Sequence, residues 1–315
     1  MVDIKRIDLH THTNCSDGLL YPKELLKKAG DYGLVAISIT DHDILRAYED
    51  KSIFDYAVSL GLNLIPGIEF STLDTNGNKY HILGLMIDIS NISLIDLIEN
   101  LQLNRSLYAK KVSKLLCDDG WFIDIGTLVN LKESITKAHI SRFLIENPKN
   151  KQKLLEYFTH IPSEGELIEF LLIKGKKYYI SIDKSLTPKE AIDVIHNAHG
   201  VAILAHPTFN VMQGEDLNEL CNKFKNLNID GFEAINIQFD KSHNDERVDL
   251  VKEFSNYAEA NNLLITGGSD FHHSNKDLIG NFIDLGFVGD EYLVDISILD
   301  KMKKYLVSKY SDMGN

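Results

Sequence analysis

The sequence predicts an α/β protein built on a parallel sheet of about seven strands that closes into a barrel. Three observations predict it. Short β-type apolar runs bounded by turn residues recur along the chain, and most are separated by stretches of helical periodicity. This alternation stops from about Ser93 to Ser185 and then resumes. The simplest organisation is one barrel in two halves with a mostly helical insertion between them. The alternative is a separate C-terminal domain beginning near Thr187. A chain of 315 residues suits either, because α/β barrels often exceed the ~150 residues of an ordinary domain.

The strand-like runs are Ile4–His10, Val35–Thr40, Leu62–Glu69, His81–Ile87, Val201–Ala205, Gly231–Ile235 and Leu263–Gly267. Tyr21-Pro22 opens the first helical stretch, with Leu25, Leu26 and Ala29 at helical spacing. Thr187-Pro188-Lys189-Glu190 combines an N-cap, a first-turn proline and a capping-box glutamate, and Ala191, Val194, Ile195 and Ala198 form the stripe that follows. Within the interruption, Leu94, Leu97, Leu101, Leu107, Val112, Leu115 and Leu116 predict one long helix, followed by shorter helical pieces and charged turns. No internal repeat or low-complexity tract is present.

Composition narrows the function. Hydrophobic content of 44% and charged content of 25% exclude disordered and fibrous classes. No apolar run approaches the ~18 residues of a membrane span, and Met1-Val2-Asp3-Ile4-Lys5-Arg6 is no signal peptide. Cys15, Cys117 and Cys221 are odd in number and far apart, which fits a reducing cytoplasm rather than a disulfide framework. The net charge of −13 argues against a broad groove for nucleic acid, so a polyanionic substrate needs concentrated local positive charge.

Polar residues gather where an α/β barrel places its active site, at strand C-terminal ends. Asp8-Leu9-His10-Thr11-His12 ends the first strand, and period-2 geometry puts His10 and His12 on one face as a chelating pair. The second strand ends in Thr40-Asp41-His42-Asp43 and the third in Gly67-Ile68-Glu69; the fourth begins at His81. Leu204-Ala205-His206-Pro207 and Gly268-Ser269-Asp270-Phe271-His272 follow after the interruption. Any one of these is accounted for by a capped turn. Six of the twelve histidines with several carboxylates on one rim are better explained by shared counter-ions.

His10-Thr11-His12 with Ser16-Asp17-Gly18, Thr40-Asp41-His42-Asp43, Pro66-Gly67-Ile68-Glu69, Ala205-His206-Pro207 and Ser269-Asp270-Phe271-His272 resemble the PHP (polymerase and histidinol phosphatase) phosphoesterases, in order and across nearly the whole chain. Lys137-Ala138-His139-Ile140-Ser141-Arg142-Phe143-Leu144, Ala191-Ile192-Asp193-Val194-Ile195-His196 and the insertion itself resemble the branch of 3′,5′-nucleoside bisphosphate phosphatases and RNase AM. The resemblance implies a distorted (β/α)7 barrel formed by residues 1–92 and 186–315, with residues 93–185 as a helical cap. It also implies two or three divalent ions (Mn²⁺, Fe²⁺ or Zn²⁺). His10, His12 and Asp270 would hold one, Glu69 would bridge it to a second on His81 and His206, and Asp17, His42 and His272 would hold the third. Set against three carboxylates, three such ions leave a local excess of roughly +3, enough to attract an anion to an acidic protein. Glu69 and Asp270 are then essential to catalysis; His206 and His272 are candidates for leaving-group protonation although both are better used as ligands, with a metal-bound water or His243 equally open as the acid.

Arg142 and His139 lie three apart, hence on one helix face, and the resembled branch places a phosphate-binding arginine in this segment. Both are expected to bind substrate, as is His243 in the Ser242-His243-Asn244 loop; a solvated helix position is the alternative for Arg142. The Lys174-Gly175-Lys176-Lys177 run reads as solvated surface, His196 and His199 as packing or capping residues, and His160 and His273 as bystanders, like Cys15. Two departures bear on the substrate: Pro207 is followed by Thr208-Phe209-Asn210 where some relatives carry arginine, and the Asn147–Lys177 segment is long. The expected partner is a small nucleotide-like phosphate ester, with short RNA trimmed from its 5′ end in the same branch, and with neither membrane nor obligate protein partner. Histidinol-phosphate and cyclic-phosphate hydrolysis, a non-catalytic PHP module and an amidohydrolase are the competing readings. The last would need a strand-end lysine, and none is evident.

Overall fold

The computed structural model describes residues 5–124, 126–127, 134–173, 175–180, 185–240, 246–273, 283–289 and 291–311. Each expected apolar run carries a strand: β1 (Ile7–Asp8), β2 (Ala36–Ile39), β3 (Asn63–Leu73), β4 (Lys79–Leu85), β5 (Val201–Leu204) and β6 (Gly231–Ile235). A small hairpin, β7 (Gln238–Asp240) with β8 (Glu246–Val248), precedes the seventh, β9 (Leu264–Gly267). The sheet order is β1-β2-β3-β4-β5-β6-β9. A second unpredicted hairpin pairs β10 (Ile283–Asp284) with β11 (Phe287–Val288).

The sheet is not wholly parallel. β4 runs antiparallel to both β3 and β5. The cause is local: Asp74 to Asn78 form a tight turn in which Asp74 Oδ1 accepts from the amides of Asn76 and Asn78 at 2.8 and 2.9 Å. Five residues cannot carry a crossover, which needs about a dozen. Between β1 and β9 the described residues form no continuous ladder. Instead the two edges meet just beyond their C-terminal ends, where Thr11 bridges Phe271 and the His12 amide donates to the Phe271 carbonyl at 2.8 Å.

The helix Pro22–Asp31 buries Leu25, Leu26 and Ala29 as expected, and Pro188–Asn197 starts from a complete Thr187/Glu190 capping box. The long helix runs from Ile92 to Asp118. Its first turns bury Leu94 and Ile98 against the sheet, while Tyr108, Ala109, Val112 and Leu116 join Trp121, Ile140, Leu144, Leu154, Leu167 and Leu171 in a separate core. Leu107 and Leu115, expected in the stripe, are exposed because the helix turns its apolar face through Tyr108 and Val112 instead. Helices Lys137–Glu146, Lys151–Tyr157 and Glu164–Leu171 pack into this second core, and the described residues between the long helix and Pro188 contain no strand. No helix among them is long and apolar enough to cross a membrane.

The helix Ile296–Ser311 is tied back to the sheet through buried Asp230. Its carboxylate accepts from the Ala202 amide (2.8 Å) and Lys309 (2.6 Å), and also meets Tyr305 and the ring of His196 (2.8 Å). His196 is thus a packing residue, and His199 packs edge-on against Tyr310.

Candidate metal centre

Buried carboxylates and one close backbone approach hold the loops that carry the candidate ligands. Asp8 accepts from the amides of His10 (3.2 Å), Ser269 (3.0 Å) and Gly286 (2.7 Å) and from the Ser269 hydroxyl (2.6 Å), joining the ends of β1 and β9. Burial, only partly offset by these bonds, pushes its pKa up to about 6. Asp41 does the same for the His12–Asp17 loop, accepting from the Thr13 amide (2.7 Å), the Thr13 hydroxyl (2.6 Å) and the Ser16 hydroxyl (2.6 Å). Gly18 lets that loop close on itself: a Cβ there would stand 2.5 Å from the His12 carbonyl oxygen. Asp43, His206 and Asp270 have positive φ (54°, 29° and 52°), so non-glycine backbone is strained at three points around one site.

All nine expected ligand residues meet. Glu69 is the centre. Its Oε2 lies 3.3 Å from His10 Nε2, 3.2 Å from His12 Nε2 and 3.1 Å from His42 Nδ1. Its Oε1 lies 2.9 Å from His81 Nδ1 and 3.2 Å from His206 Nε2, which are themselves 3.2 Å apart. Asp270 Oδ1 approaches His10 and His12 at 3.3 and 3.1 Å. Asp17 stands 3.7 Å from His42 Nε2 and 3.3 Å from His272 Nε2. Three groupings of ligand-type atoms result, each within 4.8 Å: His10, His12, Glu69 and Asp270; His42, Glu69 and His81; and His12, Asp17, His42 and His272.

This donor set fits divalent cations. His10 and His12 turn ring nitrogens toward each other at 3.1 Å, and the buried Glu69 Oε2 and Asp17 Oδ1 have no hydrogen-bond donor. Buried carboxylate oxygens that meet no donor are costly unless cations sit among them. Imidazole with carboxylate suits Mn²⁺, Fe²⁺ or Zn²⁺, and no thiolate or lysine enters the cluster among the described residues. The protein alone already polarises these groups. Burial opposes ionisation of Glu69, Asp270 and Asp17, yet facing imidazoles hold all three well below the usual carboxylate range. Burial works against a charge on His12 too, but Asp270 and Glu69 raise it to about 10, whereas burial with His12 and His81 nearby takes His42 down to about 4.

One contributor was missed from sequence. Glu233, buried on β6, spans His10 Nδ1 with both oxygens (3.0 and 3.1 Å) and accepts the His206 amide at 2.8 Å. It thereby places the His10 proton on Nδ1 and the Nε2 lone pair toward Glu69, the usual role of a carboxylate behind a metal-binding imidazole. The only signal was a lone glutamate inside the apolar Gly231–Ile235 run. Arg105 was also missed: from the long helix it binds Asp43 Oδ2 through Nε (3.0 Å), Ser71 Oγ (3.2 Å) and the Ile135 carbonyl (3.2 Å), tying that helix to β3 and to the residue after His42.

Of the expected substrate residues, the two that are described have partners of their own on the helices. Arg142 directs its guanidinium to Glu164 (2.8 Å from Nε), and buried His139 closes a capping box with Thr136, whose hydroxyl is 3.0 Å from Nδ1. His243 lies outside the described residues. His160 pairs with Glu166 at the surface, and His273 is exposed.

The PHP domain family model matches residues 8–171, more than half of the chain. A 5′-3′ exoribonuclease Rnm of Salmonella typhimurium is 33% identical over 269 residues, covering 84% of each chain. A 3′,5′-nucleoside bisphosphate phosphatase of Chromobacterium violaceum is 25% identical over 276 residues, 84% of this chain and 87% of that one. A solved structure of a proposed metal-dependent phosphoesterase from Bifidobacterium adolescentis shares the fold, with TM-score 0.73 at 22% identity over 95% of both chains. The chain therefore belongs to the PHP family and is a metal-dependent phosphoesterase.

Proposed function

We propose that this phosphoesterase removes the 3′-phosphate of nucleoside 3′,5′-bisphosphates, using two or three divalent ions (Mn²⁺, Fe²⁺ or Zn²⁺). His10, His12, Glu69 and Asp270 hold the first; Glu69, His81 and His206 the second; and Asp17, His42 and His272 the third. The observation that carries this reading is the placement of five imidazoles around the single buried carboxylate of Glu69. When bound, such ions supply Lewis acidity and make water acidic near neutral pH.

The chain's own groups do the rest. Glu233 fixes the His10 tautomer and the His206 backbone, while Asp8 and Asp41 keep the two ligand-bearing loops in register. His272 Nδ1 faces the Asp270 carbonyl at 2.8 Å and its Nε2 faces Asp17, so both nitrogens are engaged and a ligand role suits it better than proton transfer. Residues 1–92 and 186–315 form the metal-binding unit, and residues 93–185 cap it. Arg142 serves a substrate phosphate in this reading only by exchanging Glu164 for it, with His139 behind it on the same helix.

The relatives named as bisphosphate phosphatase and exoribonuclease support the substrate class, and trimming of short RNA from its 5′ end uses the same centre. Three cysteines that form no disulfide suit a cytoplasmic setting. The test is phosphate release with Mn²⁺ from 3′-phosphoadenosine 5′-phosphate, histidinol phosphate and a short 5′-phosphorylated RNA. Preferred release of the 3′-phosphate from the first supports the reading; faster turnover of histidinol phosphate refutes it.

A further inference from the structure

Asp43 directly follows the candidate ligand His42, and its backbone is left-handed, with φ 54°. Aspartate keeps such a conformation where its surroundings over-determine it. Here all four of its polar groups are engaged. On the β3 side its amide donates to the Glu69 carbonyl at 2.9 Å, and its Oδ1 accepts the Ser71 amide at 3.0 Å. On the other side its carbonyl accepts from Gln102 Nε2 at 2.6 Å, and its Oδ2 accepts from Arg105 Nε at 3.0 Å. Two of the four contacts thus come from one face of the long helix, where Gln102 and Arg105 stand three apart.

Docking the helix does not account for this network. The helix already buries Leu94 and Ile98 against the sheet, and well-packed apolar residues often stabilise a fold as well as a buried ion pair does. The position of the network does account for it. Residue 43 sets the course of the chain just past His42, which pairs with Glu69 in an isolated bridge. The His42 ring then stands with Nδ1 3.1 Å from Glu69 Oε2 and Nε2 3.7 Å from Asp17 Oδ2. It belongs both to the group with His12, Asp17 and His272 and to the group with Glu69 and His81, so turning this one ring moves a donor in each. Arg105 reaches the surroundings of the ring as well. Its guanidinium donates to Ser71 Oγ at 3.2 Å, and that hydroxyl lies 3.5 Å from His42 Nδ1. The Glu69 carboxylate and the Ser71 oxygen can both accept the Nδ1 proton, which leaves the Nε2 lone pair on the Asp17 side.

We infer that Arg105, with Gln102 beside it, is a positioning residue for His42: the long helix sets the direction in which this imidazole enters the cation site it would form with Asp17 and His272. This role rests on the reading of His42 as a ligand. Glu233 does the corresponding work for His10 from within the sheet. For His42 the support comes from a helix whose second half packs in a separate core, so a shift of that helix would be felt at the ring.

Cadmium NMR of the Cd²⁺-loaded protein, with one resonance for each bound ion and metal content counted by mass spectrometry, tests this. His42→Ala identifies the ion that the ring holds by the resonance it removes. Arg105→Lys keeps the charge but not the planar fork, and Gln102→Leu removes the hydrogen bond at similar volume. Each should shift that same resonance and weaken that ion by about tenfold or more, leaving the other ions at wild-type affinity. Gln102 is half-buried and uncharged, so its variant carries the test if the Arg105 variant folds poorly. Wild-type spectra and affinities in both variants overturn the inference, and so does an equal loss at every ion, which is what general loosening of the fold gives. If His42→Ala removes no resonance, the ligand reading falls and the positioning role with it. If it removes one that the Arg105 and Gln102 variants leave untouched, the positioning role alone falls.

Discussion

Glu233→Gln changes one charge and almost no volume, and its effect can be worked out from three contacts. Both carboxylate oxygens face His10 Nδ1 at 3.0 and 3.1 Å, and Oε2 also accepts the His206 amide at 2.8 Å. A carboxamide has one accepting oxygen. If that oxygen takes the His206 amide, the NH₂ group stands 3.0 Å from His10 Nδ1 in place of an acceptor, which favours an Nδ1 that accepts and a proton on Nε2. That proton would point at Glu69 and Asp270, where the lone pair is needed. If the amide is turned the other way, a buried backbone N–H loses its acceptor, at about 1–3 kcal/mol. Either outcome should weaken metal binding by about 10- to 100-fold, or about 1.4–2.7 kcal/mol. Titration calorimetry with Mn²⁺, with metal content counted by mass spectrometry, measures this. A folded variant with wild-type affinity would show that Glu233 does not orient His10, and the assignment of roles around the cluster would have to be redrawn.

Three further outcomes are expected. Glu69→Ala should keep the fold by circular dichroism yet lower phosphate release by about two orders of magnitude or more, the scale for losing a preorganised catalytic charge; wild-type-like rates would contradict the central role of this carboxylate. Arg105→Ala strands the buried Asp43 carboxylate and frees the long helix from β3, so it should destabilise by about 2–3 kcal/mol, below the full cost of a buried pair because Arg105 is partly exposed. Calorimetric melting shows this, and an unchanged transition would refute the lock. Asp230 is buried, but His196, Lys309 and Tyr305 hold its pKa below the usual value, so its stabilisation is present above the unfolded pKa of about 4 and is lost as pH falls through the folded value. The melting-temperature gap between wild type and Asp230→Asn should therefore narrow as pH drops from about 5 to 3; a gap constant with pH would mean that the charge is not what matters.

The local signals were legible in the chain. Seven apolar runs became seven strands, and Thr187/Glu190 became a capping box, because periodicity and capping depend only on near neighbours. The metal-ligand candidates were readable for a related reason: His10 and His12 share a face by strand geometry, and the other imidazoles and acids stand at strand ends, which the fold class gathers on one rim. The antiparallel course of β4 was in principle visible in the short Asp74–Asn78 turn, but it was outweighed by the parallel pattern around it. Only the tertiary structure decided which distant groups touch. Glu233 lies 223 residues from His10, and Arg142 is matched by Glu164 on another helix. No spacing rule predicts such pairs, because a side chain's partner is set by how whole elements pack, and a charge gains its meaning from whichever charge that packing leaves opposite it.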